Sequence, residues 1–130
     1  MKNNPSILVV DDEIIIAEDI LNRLQTLGYN AASTARTYAV GLERAAKAKP
    51  HIAIIDIGLQ GTEDGIDLGE ELQKKYGCAV IYMTGYTKHP GILEKLEGAV
   101  YDGLLHKPFL DDHFAEIIQR VADEQQLRRV

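Results

Sequence analysis

Asp11, Asp12, Asp56, Thr84 and Lys107 each stand where a short apolar run stops. Ile7-Leu8-Val9-Val10 runs into Asp11-Asp12-Glu13, and Ile52-Ala53-Ile54-Ile55 ends in Asp56. Cys78 to Met83 leads into Thr84-Gly85, and Gly103-Leu104-Leu105-His106 leads into Lys107-Pro108. An ionised carboxylate at the tip of a buried strand needs a partner, because charge removed from water is costly. Three carboxylates brought together repel by ~1–4 kcal/mol per close pair, depending on the local dielectric. Protonation or a divalent cation relieves that repulsion. A compact, all-oxygen site suits Mg²⁺, which keeps several waters and accepts a phosphoryl oxygen. With Mg²⁺ at hand Asp56 becomes a nucleophile toward phosphorus, since carboxylates can form aspartyl phosphates. Such a transfer depends mainly on positioning and charge neutralisation. The cation, the Lys107 ammonium and the Thr84 hydroxyl would each meet one phosphoryl oxygen.

The elements that must position these groups alternate along the chain. Strands are expected at Ser6 to Val10, Asn30 to Ser33, Ile52 to Ile57, Cys78 to Met83 and Gly103 to His106. The third is rich in β-branched residues and bounded by Pro50 and Gly58, as in a strand buried on both faces. Helices are expected between them. Ile16, Ile20, Leu24 and Leu27 form one apolar stripe closed by Gly28 as a C-cap. Ala39 to Ala48, Ile66 to Tyr76 and Gly91 to Leu96 follow. A last helix from Asp111 carries Phe114, Ile117, Ile118 and Val121, and its polar end from Asp123 is expected to fray. Five strands alternating with five helices imply an α/β fold with a parallel sheet covered on both faces. In such sheets ligands bind beyond the carboxyl ends of the strands, where the five side chains lie.

The chain has 130 residues, which suits one domain with no separate output domain. Its 45% hydrophobic and 26% charged content is that of a soluble globular protein. No apolar stretch approaches a membrane span, and Met1 to Pro5 lacks the apolar region of a signal peptide. The single cysteine, Cys78, reads as a small buried hydrophobe in a reducing cytoplasm. A net charge of −6 disfavours nucleic acid and anionic membranes as partners. A protein or a cation is the better expectation.

From about Ser6 to Val121 the sequence resembles a response-regulator receiver domain of two-component signalling. The resemblance rests on Val9-Val10-Asp11-Asp12-Glu13, Ile54-Ile55-Asp56, Met83-Thr84-Gly85 and Lys107-Pro108-Phe109, in that order and at strand ends. Asp56-Ile57-Gly58-Leu59 with Asp64-Gly65-Ile66 is similar to receivers found beside PAS-containing sensor kinases. The resemblance implies a flavodoxin-like doubly wound (βα)5 sandwich with strand order 2-1-3-4-5. It implies that Asp56 is the phosphoacceptor, served by a histidine kinase or phosphotransfer protein, and that Mg²⁺ is held by Asp12, Asp56 and the Gly58 backbone carbonyl, with Asp11 acting through water. Thr84 and Lys107 would sense the phosphate, and Lys107-Pro108 would be a cis peptide bond. The face of the fourth strand, fourth helix and fifth strand would then alter binding of a downstream protein. A homodimer is also compatible with it.

Simpler readings stand beside these. Asp11 or Asp12 could cap a helix, which explains one of them but not the adjacent pair. Glu63 and Asp64 read as solvated loop charges. His106 precedes Lys107 on a strand, so its side chain is expected on the opposite face. Receivers usually carry Tyr or Phe three residues before the lysine, and here that position is Leu104. Tyr101 and Tyr86 are the candidates to replace it. Gly85 keeps the phosphate site open. Gly58 offers no side chain to shield a phosphoryl bond, leaving dephosphorylation to Tyr86 and outside phosphatases. The rival reading is a receiver-fold interaction module that works without phosphorylation, with Leu104 in its favour. An aspartyl-phosphate phosphatase would need a second acid two residues after the nucleophile, where Gly58 stands.

Overall fold

The computed structural model describes residues 4–61, 63–85 and 90–128. Strands β1 (Ile7–Val10), β2 (Ala32–Ala35), β3 (Ile52–Asp56), β4 (Ala79–Thr84) and β5 (Gly103–His106) form one sheet in the order β2-β1-β3-β4-β5. Every pairing is parallel, with Val10 beside Ile55 and Asp56 beside Met83. Helices α1 (Ile14–Thr26), α2 (Tyr38–Ala48), α3 (Gly65–Tyr76), α4 (Pro90–Glu97) and α5 (Asp111–Arg128) connect or follow the strands. This is the flavodoxin-like doubly wound arrangement.

Alternation along the strands splits the interior into two layers. Ile7, Val9, Ile52, Ile54, Ile81, Met83 and Leu105 face α1 and α5, where they meet Ile20, Leu24, Phe114 and Ile118. Leu8, Val10, Ala53, Ile55, Val80 and Tyr82 face the other way, onto Ala45 of α2, Ile66, Leu68 and Leu72 of α3, and Leu96 of α4. The central strands β1, β3 and β4 are buried along their whole length, as continuous apolar runs require.

Local signals set the helix ends. Thr37 caps α2, its hydroxyl accepting from the Val40 N–H at 3.1 Å. Gly77, with φ of 63°, closes α3, and Gly28, with φ of 94°, follows the end of α1.

Most boundaries lie within one residue of the sequence expectation, and two regions differ by more. The second strand is Ala32–Ala35 rather than Asn30 to Ser33. Tyr29 turns inward, its N–H donating to the Leu24 carbonyl at 2.9 Å and its ring joining the α1–α5 layer, so chain pairing begins later. The polar end of α5 is helical through Arg128. Gln125 is buried, Arg120 donates to the Asp102 carbonyl at 2.9 Å, and Arg128 lies 3.5 Å from the Asp102 carboxylate. No helix among the described residues is long and apolar enough to cross a membrane.

Candidate functional site

The alternation that builds the α1–α5 layer also aims the site. Ile7, Val9 and then Asp11 follow one face of β1, Ile52, Ile54 and then Asp56 follow one face of β3, and Leu105 is followed by Lys107 on β5. The ladder continues past the strand ends, because Asp11 N–H donates to the Ala35 carbonyl at 3.1 Å and Lys107 N–H to the Thr84 carbonyl at 2.8 Å. Asp11, Asp56 and Lys107 therefore emerge on one side of the sheet at its carboxyl edge. Thr84 follows Val80 and Tyr82 and belongs to the opposite, α3–α4 side. His106 alternates with Lys107 and is exposed.

Lys107 is the hub of the polar contacts. Its Nζ donates to Asp11 Oδ2 at 2.9 Å and lies 3.5 Å from Asp56 Oδ2. Asp11 Oδ1 accepts from the Glu13 N–H at 2.9 Å, and Asp56 Oδ1 accepts from the Gly58 N–H at 3.1 Å. The Asp11 side chain is fully buried and that of Asp56 is 12% exposed. Lys107-Pro108 is a cis peptide bond. It sits where the chain turns from β5 toward α5 just after the lysine.

Burial pushes the Asp56 carboxyl above the usual carboxylate range. Asp11 and Asp12 add to that rise, while the Lys107 ammonium and the Gly58 N–H oppose it. Burial works against the charge on Lys107, yet its hydrogen bond to Asp11 and the charges of Asp56 and Asp11 outweigh it and raise its pKa. One lysine thus faces a surplus of negative charge. Asp11, Asp12 and Asp56 each offer a carboxylate oxygen, and these atoms lie within 4.8 Å of one another. The donor set is all oxygen and carries more charge than Lys107 neutralises, which fits a hard divalent cation.

The glycines bear on access. A Cβ at Gly58 would lie 3.6 Å from Asp56 Oδ1, so any side chain there would begin beside the carboxylate. A Cβ at Gly85 would rest 3.4 Å from the Lys107 stem, in ordinary contact. Leu104 pairs with Tyr82 across β4 and β5 and packs, half-buried, against the α3–α4 layer. Tyr101 meets Tyr82 edge-on, with ring centroids 5.7 Å apart. Tyr86 lies outside the described residues.

Asp64 departs from its reading as a solvated loop charge. It is the N-cap of α3 and forms a capping box with Asp67, each carboxylate accepting the other's backbone N–H at 2.9 and 3.0 Å. Its second oxygen lies 3.0 Å from Lys95 Nζ, which also reaches Asp67 at 2.5 Å. Neither Asp67 nor Lys95 was flagged by residue type and spacing. The Asp64-x-x-Asp67 pattern at the start of the Ile66, Leu68 and Leu72 stripe is the sequence signal for the cap, and nothing local points to Lys95.

Residues 7–120 match the family described as the response regulator receiver domain. The phyllosphere-induced regulator PhyR of Methylorubrum extorquens is 31% identical over 95% of this chain. The nitrogen assimilation regulatory protein NtrX of Azorhizobium caulinodans is 30% identical over a similar 95%. The chain spans only 45% and 27% of the length of those two relatives. Among solved structures, the receiver domain of NtrX from Brucella abortus is 26% identical, with a TM-score of 0.80 over 91% of this chain and 98% of that one. A signal receiver domain of a modulated diguanylate cyclase from Desulfovibrio desulfuricans shares the fold, at 23% identity and a TM-score of 0.86 over 97% of this chain and 99% of that one.

Proposed function

Because the chain belongs to the response regulator receiver domain family, we propose that Asp56 accepts a phosphoryl group from a histidine kinase or phosphotransfer protein and that the modified domain changes its binding to a downstream protein. The observation that carries this reading is the state of Asp56. Its carboxylate is nearly buried and held 3.1 Å from the Gly58 N–H, with Lys107 3.5 Å away on its other oxygen. Both contacts orient the side chain, and neither fully balances its charge.

The groups take complementary roles. Asp56 supplies the attacking oxygen, with the Gly58 N–H and Lys107 fixing its direction, and the P–N bond of the donor's phosphohistidine breaks as the imidazole leaves. Asp12, Asp56 and the Gly58 carbonyl would hold Mg²⁺, with Asp11 behind them. When bound, the ion neutralises phosphoryl charge and lowers the mutual repulsion of the carboxylates. Lys107 and the Thr84 hydroxyl would meet the remaining phosphoryl oxygens. A phosphorylated Asp56 is one product of a single modification, so the domain acts as a signalling switch rather than as a turnover enzyme. Exposed apolar side chains flank the site and suit a protein donor: Ile14 and Ile15 just after the acidic run, and Leu110 just after Phe109. The fold, the single buried cysteine and the kinase partner fit a cytoplasmic protein.

Thr84 belongs to the α3–α4 side of the sheet, so its engagement by phosphate would reach β4, α4 and β5. Leu104 favours a second reading, a constitutive interaction module, because an aliphatic side chain there cannot change hydrogen bonding when Thr84 moves. Treatment with a small phosphodonor and Mg²⁺, followed by intact-mass measurement, separates the two. The switch predicts one added phosphate that is lost in Asp56→Asn. Absence of any adduct, with unchanged partner affinity, would leave only the module.

A further inference from the structure

Three parts of the molecule meet at the first turn of α3. Gly65 packs against the backbone of Asp56 so closely that a Cβ would overlap the Asp56 carbonyl oxygen, and its N–H donates to the Ile57 carbonyl at 3.3 Å. Tyr82, two residues before Thr84, donates its hydroxyl to the Ile66 carbonyl at 3.3 Å, and Gly69 one turn later leaves room for the ring. From α4, Lys95 reaches both carboxylates of the capping box. Asp64 and Asp67 each use one oxygen for the cap and the other for Lys95. The turn is thus joined to the strand of Asp56, the strand of Thr84 and the helix α4.

α4 itself is thinly packed. Among its described side chains Leu96 is buried, Ile92 is partly buried, and Leu93 is exposed. A helix anchored by so little apolar area depends on its polar ties for local stability. An isolated surface ion pair contributes little, but Lys95 engages two carboxylates that the cap already immobilises, so less side-chain entropy is lost in forming the contact.

We propose that Lys95 is a latch that couples α4 to the state of the Asp56 site through the first turn of α3. In the resting protein the latch holds α4 against Asp64 and Asp67. Phosphorylation shifts the Asp56 backbone against Gly65 and the end of β4, misaligns the two carboxylates, and frees α4 for a partner. This rests on the reading of Asp56 as phosphoacceptor.

Hydrogen exchange of the α4 amides, measured on the intact chain with and without a small phosphodonor and Mg²⁺, tests it. Lys95→Met should speed α4 exchange in the unphosphorylated protein by about fivefold, the scale of one such polar tie. Its exchange should then change less than about twofold on phosphorylation, while the wild type changes by about fivefold. Lys95→Arg should behave as the wild type, and Lys95→Met should still gain one phosphate by mass. Unchanged α4 exchange in unphosphorylated Lys95→Met, or a full wild-type response of that variant to phosphodonor, overturns the latch alone. No phosphate on the wild type overturns the Asp56 reading and the coupling with it.

Discussion

At the carboxyl edge of the sheet, Asp11 and Asp56 share Lys107 with Asp12 beside them; at the start of α3, Asp64 and Asp67 share Lys95. The ingredients are alike and the electrostatics are opposite. Asp56 has its pKa raised by burial and by its acidic neighbours. Asp67 has its pKa lowered: burial works against its charge, but the hydrogen bonds from Lys95 and from the Asp64 N–H outweigh it. The difference lies in where the oxygens point. In the α3 cluster two backbone N–H groups and an ammonium meet the carboxylate oxygens, so that cluster is a structural joint. At the sheet edge negative charge is left over, which a cation or a phosphoryl group's partners must answer. The proposed phosphoacceptor lies in the unbalanced cluster, and the proposed latch lies in the balanced one.

Gly65 lies between the two clusters, and disturbing it has the largest expected effect. Gly65→Ala forces a methyl group into the Asp56 backbone and should cost about 3 kcal/mol in urea unfolding. It should also weaken Mg²⁺ binding, because α3 and β3 can no longer meet as they do. A loss below about 1 kcal/mol would mean that the joint between the clusters is looser than described.

The next effect separates the clusters by charge. Without divalent cations, Asp56→Asn should raise stability by about 1–2 kcal/mol, since it removes a buried, poorly balanced negative charge while keeping an oxygen for the Gly58 N–H. Mg²⁺ at one hundred times its dissociation constant should stabilise the wild type by about 2.7 kcal/mol. It should do much less for Asp56→Asn. Destabilisation by Asp56→Asn in chelator would show that the sheet-edge cluster is balanced after all.

The smallest effect concerns the joint and pH. Asp67 faces Lys95 and Asp64, with the phenols of Tyr38 and Tyr82 nearby. Its pKa is depressed in the folded state, so its contribution is present above the ordinary carboxylate pKa and is lost as pH falls through the lower folded value. Lys95→Met should therefore cost about 1 kcal/mol at pH 7, the upper end for a partly exposed pair, and almost nothing well below pH 4. A penalty that persists in acid would assign the loss to packing of the lysine stem instead.

Asp11, Asp12, Asp56, Thr84 and Lys107 are legible at strand ends because short, unbroken apolar runs mark buried strands, and their grouping is legible through the resemblance to receivers. The parallel sheet followed from the same alternation of runs. Asp64 reads as a loop charge because its partners are long-range or of an atypical kind: Lys95 is 31 residues away, and the box closes with Asp67 rather than Glu or Gln. The requirement for Gly at position 65 was equally hidden, since it arises from a backbone approach and not from a turn. β2 begins later than Asn30 because its half-buried pattern is weak and Tyr29 is pulled into the core. The end of α5 looked frayed because the residues that hold it, Asp102 among them, precede it by many positions.

The central claim is that the oxygen of Asp56 bonds to phosphorus. Protein treated with a small phosphodonor and Mg²⁺ can be reduced with borohydride, which converts an acyl phosphate to an alcohol, and then digested and mapped by mass. The peptide carrying residue 56 should be the one altered, with no change when Mg²⁺ is chelated or in Asp56→Asn. Reduction mapped to Asp11, Asp12 or any other acid, or none at all under these conditions, would contradict the account.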